Sequence, residues 1–265
     1  MGGAMWPAFI MSTLAGMSTA IGGLIAILSK RTNERFLSAS LGFSAGVMLL
    51  VSFDELLPDS KASLLPFFGQ RYSGFIAAAS MVAGAAVALL IGVIVPSGDR
   101  QHKHALGGGV QNTANSLVRV GMVTAVAVTV HNLPEGIATF MAGYADIRLG
   151  LPVAISIALH NIPEGIAVAV PVYYGTGSRL RALLYSALSG LSEPVGALLA
   201  FLVLAPFING VTLGIIFGAV AGIMIYISFD GLIPSSQQYG HTVAAVAGLF
   251  SGLIFMKLAM TLFRL

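Results

Sequence analysis

Of the chain's 265 residues, 57% are hydrophobic and 9% are charged, where a soluble domain carries about 25% charged residues. With a mean hydropathy of +0.91, this composition excludes a soluble globular protein and predicts an all-α integral membrane protein. The absence of cysteine excludes disulfides and thiolate metal sites. The net charge of +3 reflects basic cytoplasmic loops rather than a nucleic-acid surface, so no nucleic-acid partner is expected.

At about 20 residues per span plus short loops, residues 1–265 are expected to form one transmembrane domain with the lipid bilayer as its surroundings. Eight transmembrane helices are predicted near 7–28, 37–57, 74–95, 118–142, 150–174, 182–204, 212–233 and 243–263. The first starts almost at once and lacks a basic lead, which argues against a cleaved signal peptide. The longest connection, about 96–117, carries Pro96, Asp99, Arg100, His102, Lys103, His104 and the glycines 107–109, and reads as a flexible, solvated loop. Two histidines in such a loop are read first as solvated, and His241 as an interfacial residue.

Lys30, Arg31, Arg35, Arg100, Lys103, Arg119, Arg179 and Arg181 fall on one side of the spans, and Lys61, Arg71, Arg148 and Arg264 on the other. The richer side is assigned to the cytoplasm. Both termini and the loops near 58–73, 143–149 and 205–211 are then extracytoplasmic.

Two internal repeats stand out. Gly46 to Pro58 (GVMLLVSFDELLP) resembles Gly222 to Pro234 (GIMIYISFDGLIP). These segments end the second and seventh spans, which the loop assignment runs in opposite directions, as in the inverted repeats of alternating-access transporters. The stretch HNLPEGIA beginning at His131 recurs as HNIPEGIA beginning at His160, 29 residues on and identical at seven of eight positions. In a helix the His, Asn and Glu of each copy stand at i, i+1 and i+4 and point to one side.

Face to face, two such helices offer His131, Asn132, Glu135, His160, Asn161 and Glu164 to one small volume. Glu193 in the sixth span is a further carboxylate at membrane depth. No lysine or arginine lies mid-span in the fourth, fifth or sixth segment to neutralise these acids, and a buried carboxylate must be paired, metal-bound or protonated. A divalent cation is the simplest partner. Mixed imidazole, carboxylate and amide donors suit Zn²⁺ or Fe²⁺ better than Mg²⁺ or Ca²⁺, and three carboxylates suffice for two bridged ions. Pro134 and Pro163 each remove a backbone donor and are expected to kink the helices beside these residues. A lone His or Glu would be read equally well as an interhelical hydrogen-bond partner. Ser186, Ser189 and Ser192 read as packing or back-bonding residues. Asp54, Glu55 and Asp230 fit helix-end charges as well as a pathway entrance, and the methionines, Met48 excepted, read as core filler.

These residues resemble the ZIP family of metal-ion transporters, on the paired His-Asn-x-Pro-Glu-Gly motifs together with Ser192-Glu193-Pro194 and Ser52-Phe53-Asp54-Glu55-Leu56-Leu57-Pro58. The resemblance covers essentially the whole chain and implies a 3+2+3 bundle with inverted repeats, in the cell membrane and often homodimeric. It implies that His131, Glu135, His160 and Glu164 bind a first metal ion, and that Asn132, Glu135, Asn161, Glu164 and Glu193 bind a second, with Glu135 and Glu164 bridging. The implied activity is uptake toward the cytoplasm of Zn²⁺, with Fe²⁺, Mn²⁺, Co²⁺ or Cd²⁺ as further substrates. An intramembrane metallohydrolase is disfavoured, because His-Glu-x-x-His is absent and the ligand set is saturated rather than open to water. Export of the same ions remains an alternative, since alternating access is symmetric.

Overall fold

The computed structural model describes residues 5–28, 33–94, 110–204 and 209–263. Among them the regular secondary structure is all helical, in ten α-helices and three π-helical turns. A lipid environment demands this, because a helix satisfies its backbone donors and acceptors within one segment. In chain order the helices are α1 (Met5–Leu28), α2 (Glu34–Val51), α3 (Leu57–Ile94), α4 (Val110–Ala145), α5 (Ile147–Thr176), α6 (Arg179–Gly190), α7 (Ser192–Leu199), α8 (Gly210–Ile227), α9 (Ile233–Gln237) and α10 (Thr242–Phe263). Polar caps set several starts: the side chains of Asn33, Asp146 and Asn209 accept from the backbone N–H groups of Phe36, Arg148 and Thr212.

Seven helical stretches are long and apolar enough to cross a membrane. One of them, Glu34–Leu90, has 57 residues and would reach roughly 86 Å if straight, nearly three times the ~30 Å hydrocarbon core. It is not straight. Gly69 adopts φ 68° and ψ 173° inside α3, a left-handed backbone that glycine tolerates best. The packing against α8 shows the consequence. From Gly210 to Gly214 the neighbours run down from Phe67 to Ser60, whereas from Gly218 to Gly222 they run up from Ala77 to Met81. The two halves of α3 are antiparallel, and Gly69 is the tip of a helical hairpin. The loop expected over 58–73 is therefore helical on both sides of one reversing residue.

Two other expectations change in detail. The stretch from Val110 to 117, assigned to the long loop, is the start of α4; 95–109, with His102 and His104, lies outside the described residues. The sixth span is divided at Leu191 into α6 and α7. Pro134 and Pro163 leave α4 and α5 unbroken.

The repeat seen in sequence returns as packing. In α2, Gly42 and Gly46 lie against the carbonyls of Ala245 and Leu249 on α10, and Gly252 lies against Phe43. In α8, Gly218 and Gly222 lie against Ala77 and Met81 on α3, and Gly84 lies against Ala219. The two sets match residue for residue, at offsets of 176 between α2 and α8 and 168 between α3 and α10. The π turns match as well: Ser52–Leu56 follows α2 and Ser228–Leu232 follows α8. Each opens with a serine hydroxyl bonded back four residues, Ser52 to Met48 at 2.7 Å and Ser228 to Met224 at 2.8 Å. A π turn is rare and frequent at functional sites, and here it recurs at the same place in each copy of the repeat.

Candidate metal centre

Helices α4 and α5 are antiparallel neighbours joined at Asp146, with Gly143 against Gly150 near one end and Gly121 against Val172 near the other. Their motif faces meet at mid-length. Glu135, His160 and Glu164 are all buried, and each offers a ligand atom within 4.8 Å of the others. His160 Nε2 stands 3.1 Å from Glu135 Oε1. Four ligands about 2.1 Å from a tetrahedral ion are about 3.4 Å apart, so side-chain rotations suffice to close this trio on one cation. The side chain of His131 lies outside the described residues; its backbone occupies the α4 position 29 residues before His160.

The amides sit just beyond. Asn161 Nδ2 donates to the Ala15 carbonyl of α1 at 2.9 Å and to Glu193 Oε1 in a short contact. Asn132 Nδ2 donates to the Ser189 carbonyl of α6 at 3.4 Å. Glu193 is in the first turn of α7, presented by the break at Leu191, where the positive end of the helix dipole favours an anion. Asn132, Asn161, Glu164 and Glu193 are all 0% exposed.

The donor atoms left over are the informative ones. Among the described residues, Oδ1 of Asn132, Oδ1 of Asn161, Nδ1 of His160 and Oε2 of Glu193 are buried without a hydrogen-bond partner. A buried polar atom left unpaired costs about 1–3 kcal/mol, and more when charged. Residues 120–147, 149–178 and 182–256 contain no lysine or arginine. A cation bound here would give a partner to carboxylate and amide oxygens of this group. Of the expected ligands whose side chains are described, Glu135, His160 and Glu164 cluster together, Asn161 bonds to Glu193, and Asn132 bonds to the Ser189 carbonyl.

Other singled-out residues fall elsewhere. Asp54 pairs with Lys257 Nζ of α10 at 2.6 Å in a partly exposed bridge. Met48 is fully buried core. Ser189 and Ser192 bond back within α6 and α7 as expected, whereas Ser186 donates across to the Thr19 carbonyl at 2.6 Å. The role of α1 was missed: it supplies the Ala15 carbonyl that holds Asn161, and it crosses α6 with Gly16 and Gly190 each against the other's carbonyl. The legible signal was the small residues Gly16, Thr19, Gly22 and Gly23, which mark helix contacts in membranes.

From α2, Ser44 Oγ donates to the Pro163 carbonyl at 2.8 Å, fully buried. Ser44→Ala is expected to cost roughly 1 kcal/mol, read as a lower unfolding midpoint in a denaturing-detergent titration. An unchanged midpoint would mean that this bond does not help to hold α5.

Comparison with known proteins identifies the family. The family model described as "ZIP Zinc transporter" matches residues 95–260. The chain is 42% identical over 259 residues to "Zinc transporter ZupT" of Streptococcus mutans, covering 98% of each chain. It is 44% identical to the protein of that name from Akkermansia muciniphila, over 95% of this chain and 96% of the relative. The corresponding protein of Corynebacterium efficiens is 45% identical over 97% of both. The buried histidine–carboxylate centre thus sits in a chain that belongs to the ZIP family.

Proposed function

We propose that this chain carries Zn²⁺ across the membrane toward the cytoplasm through the centre built on Glu135, His160 and Glu164. As a ZIP-family member it is a multi-pass membrane transporter and not an enzyme, and the relatives named above are zinc transporters. The observation that carries the reading is the buried trio with ligand atoms within 4.8 Å, in helices free of basic residues at that depth.

The finer architecture is part of the proposal. Counting the Gly69 hairpin as two crossings makes eight spans. The matched contacts of α2 and α3 with α8 and α10 support a 3+2+3 arrangement, with α4 and α5 as the central pair. Because α4 and α5 are antiparallel, an axis that exchanges them runs across the helices, in the membrane plane, and the two halves are inverted. Such an arrangement lets one half rock against the other around a fixed site. Basic-residue bias supports cytoplasmic placement of the α1–α2, α3–α4 and α5–α6 connections and extracytoplasmic termini.

On this reading His131, Glu135, His160 and Glu164 hold one ion. Asn132, Asn161 and Glu193 hold a second, with Glu135 and Glu164 bridging. The nitrogen and oxygen donor set also admits Fe²⁺, Mn²⁺, Co²⁺ and Cd²⁺ as competitors. The homodimer that the family resemblance implies belongs to the same proposal.

The test is radioactive Zn²⁺ flux into proteoliposomes holding the purified chain. Saturable uptake that the other dications inhibit supports the reading. Tight binding with flux no greater than in protein-free vesicles would overturn it.

A further inference from the structure

The internal two-fold pairs Glu193 with a residue that nothing so far has used. Residues of α1 and of α6–α7 correspond at an offset of 174. Gly16 and Gly190 lie on each other's carbonyls; Gly22 lies against the Ile162 carbonyl as Gly196 lies against that of Leu133; the Ala15 carbonyl accepts from Asn161 as the Ser189 carbonyl accepts from Asn132. At the same offset, Thr19 stands where Glu193 stands. The Glu193 Cβ packs against Gly16, and the Thr19 Cβ packs against Gly190. Asn161 donates to Glu193, so the matching neighbour of Asn132 is Thr19. Thr19 Oγ1 and Asn132 Oδ1 are both buried without a hydrogen-bond partner among the described residues, in side chains that are 0% exposed. A threonine in a helix ordinarily bonds back to the carbonyl four residues earlier; here that carbonyl, Ala15, is taken by Asn161.

We propose that Thr19 is a further ligand of the transported ion, its hydroxyl and the Asn132 carbonyl oxygen forming a neutral oxygen pair that mirrors Asn161–Glu193. This rests on the transport reading above. In the proposed orientation Glu193 and Asn161 lie on the extracytoplasmic side of the Gly16–Gly190 crossing, and Thr19 and Asn132 lie on the cytoplasmic side. An arriving dication meets the Glu193 carboxylate, whereas the matching position on the departing side offers only the neutral Thr19 hydroxyl, which holds it weakly and lets it go. The halves match in backbone and differ in charge, and that difference favours release inward.

The absence of native cysteine makes the test specific. In Thr19→Cys, a soft thiolate at this point would bind Cd²⁺ directly and produce a thiolate-to-cadmium charge-transfer band in the ultraviolet. We expect that band in the detergent-solubilised protein, saturating with Cd²⁺, displaced by Zn²⁺ and lost when Asn132→Ala is added. No band, or a band indifferent to Zn²⁺ and to Asn132→Ala, would overturn the proposal, since a lone thiol away from the pathway would behave that way. In flux, Thr19→Val removes the hydroxyl at nearly constant volume and is expected to raise KM for Zn²⁺ about tenfold, with Thr19→Ser recovering the KM to within about twofold. Equal KM for the Val variant and the unaltered chain would also overturn it. The cadmium band requires binding only, so it is read independently of whether the unaltered chain transports.

Discussion

Replacing Glu135 and Glu164 together by alanine is expected to reduce Zn²⁺ flux to the level of protein-free vesicles, a loss of at least about 100-fold. Even residues that only orient a metal ligand typically cost 10–100-fold in affinity or activity, and these two carboxylates are direct candidates. They stand within 4.8 Å of each other and of His160, and Glu135 is also the partner of the His160 imidazole. Removing them takes away charge that no basic residue on α4 or α5 at that depth replaces. Insertion should survive, because a buried carboxylate is a cost to the apolar fold when no cation is bound. Normal flux in the double variant would remove the centre from the transport path.

The second large effect is expected from adding one methyl group at Gly165. A Cβ there would lie 1.9 Å from the carbonyl oxygen of Thr19, and one added at Gly22 on the same interface would lie 2.0 Å from the Ile162 carbonyl oxygen. The obstacle is backbone, so no side-chain rotation relieves it and α1 must move away from α5. Overpacking of this kind costs about 1–3 kcal/mol, occasionally more. Displacement of α1 also takes the Ala15 carbonyl from Asn161. Gly165→Ala should therefore lower both the unfolding midpoint and the flux by several-fold. Gly74→Ala is the control: the nearest atom to its Cβ is Lys61 Cε at 3.9 Å, and alanine there should be neutral or stabilising by up to about 1 kcal/mol. Equal stability for the two variants would contradict close α1–α5 packing.

The centre was legible in the sequence because it is written twice. Charged and imidazole residues stand out against an apolar background, and duplication makes a chance pattern hard to sustain. The helical class followed from composition alone. What escaped notice lies in residues that hydropathy does not separate from filler. Thr19 and Gly16 look like ordinary membrane-helix residues; their roles emerge only when α1 is laid over α6 and α7. The loop expected near 58–73 is a helical continuation from Leu57 to Phe68, because charges such as Lys61 and Arg71 at the rim do not prevent a helix from extending past the bilayer. The reversal itself falls on one glycine, too brief a signal to fix a boundary. The Asp54–Lys257 pair joins residues 203 apart, a contact that only the packing of α2 along α10 creates.

The most direct test of the central claim is anomalous diffraction at the zinc edge from crystals of the Zn²⁺-loaded protein. A peak within about 2.0–2.2 Å of the Glu135, His160 and Glu164 donor atoms is the expected result. Zinc bound only at the partly exposed Asp54 or elsewhere outside the α4–α5 interface would contradict it.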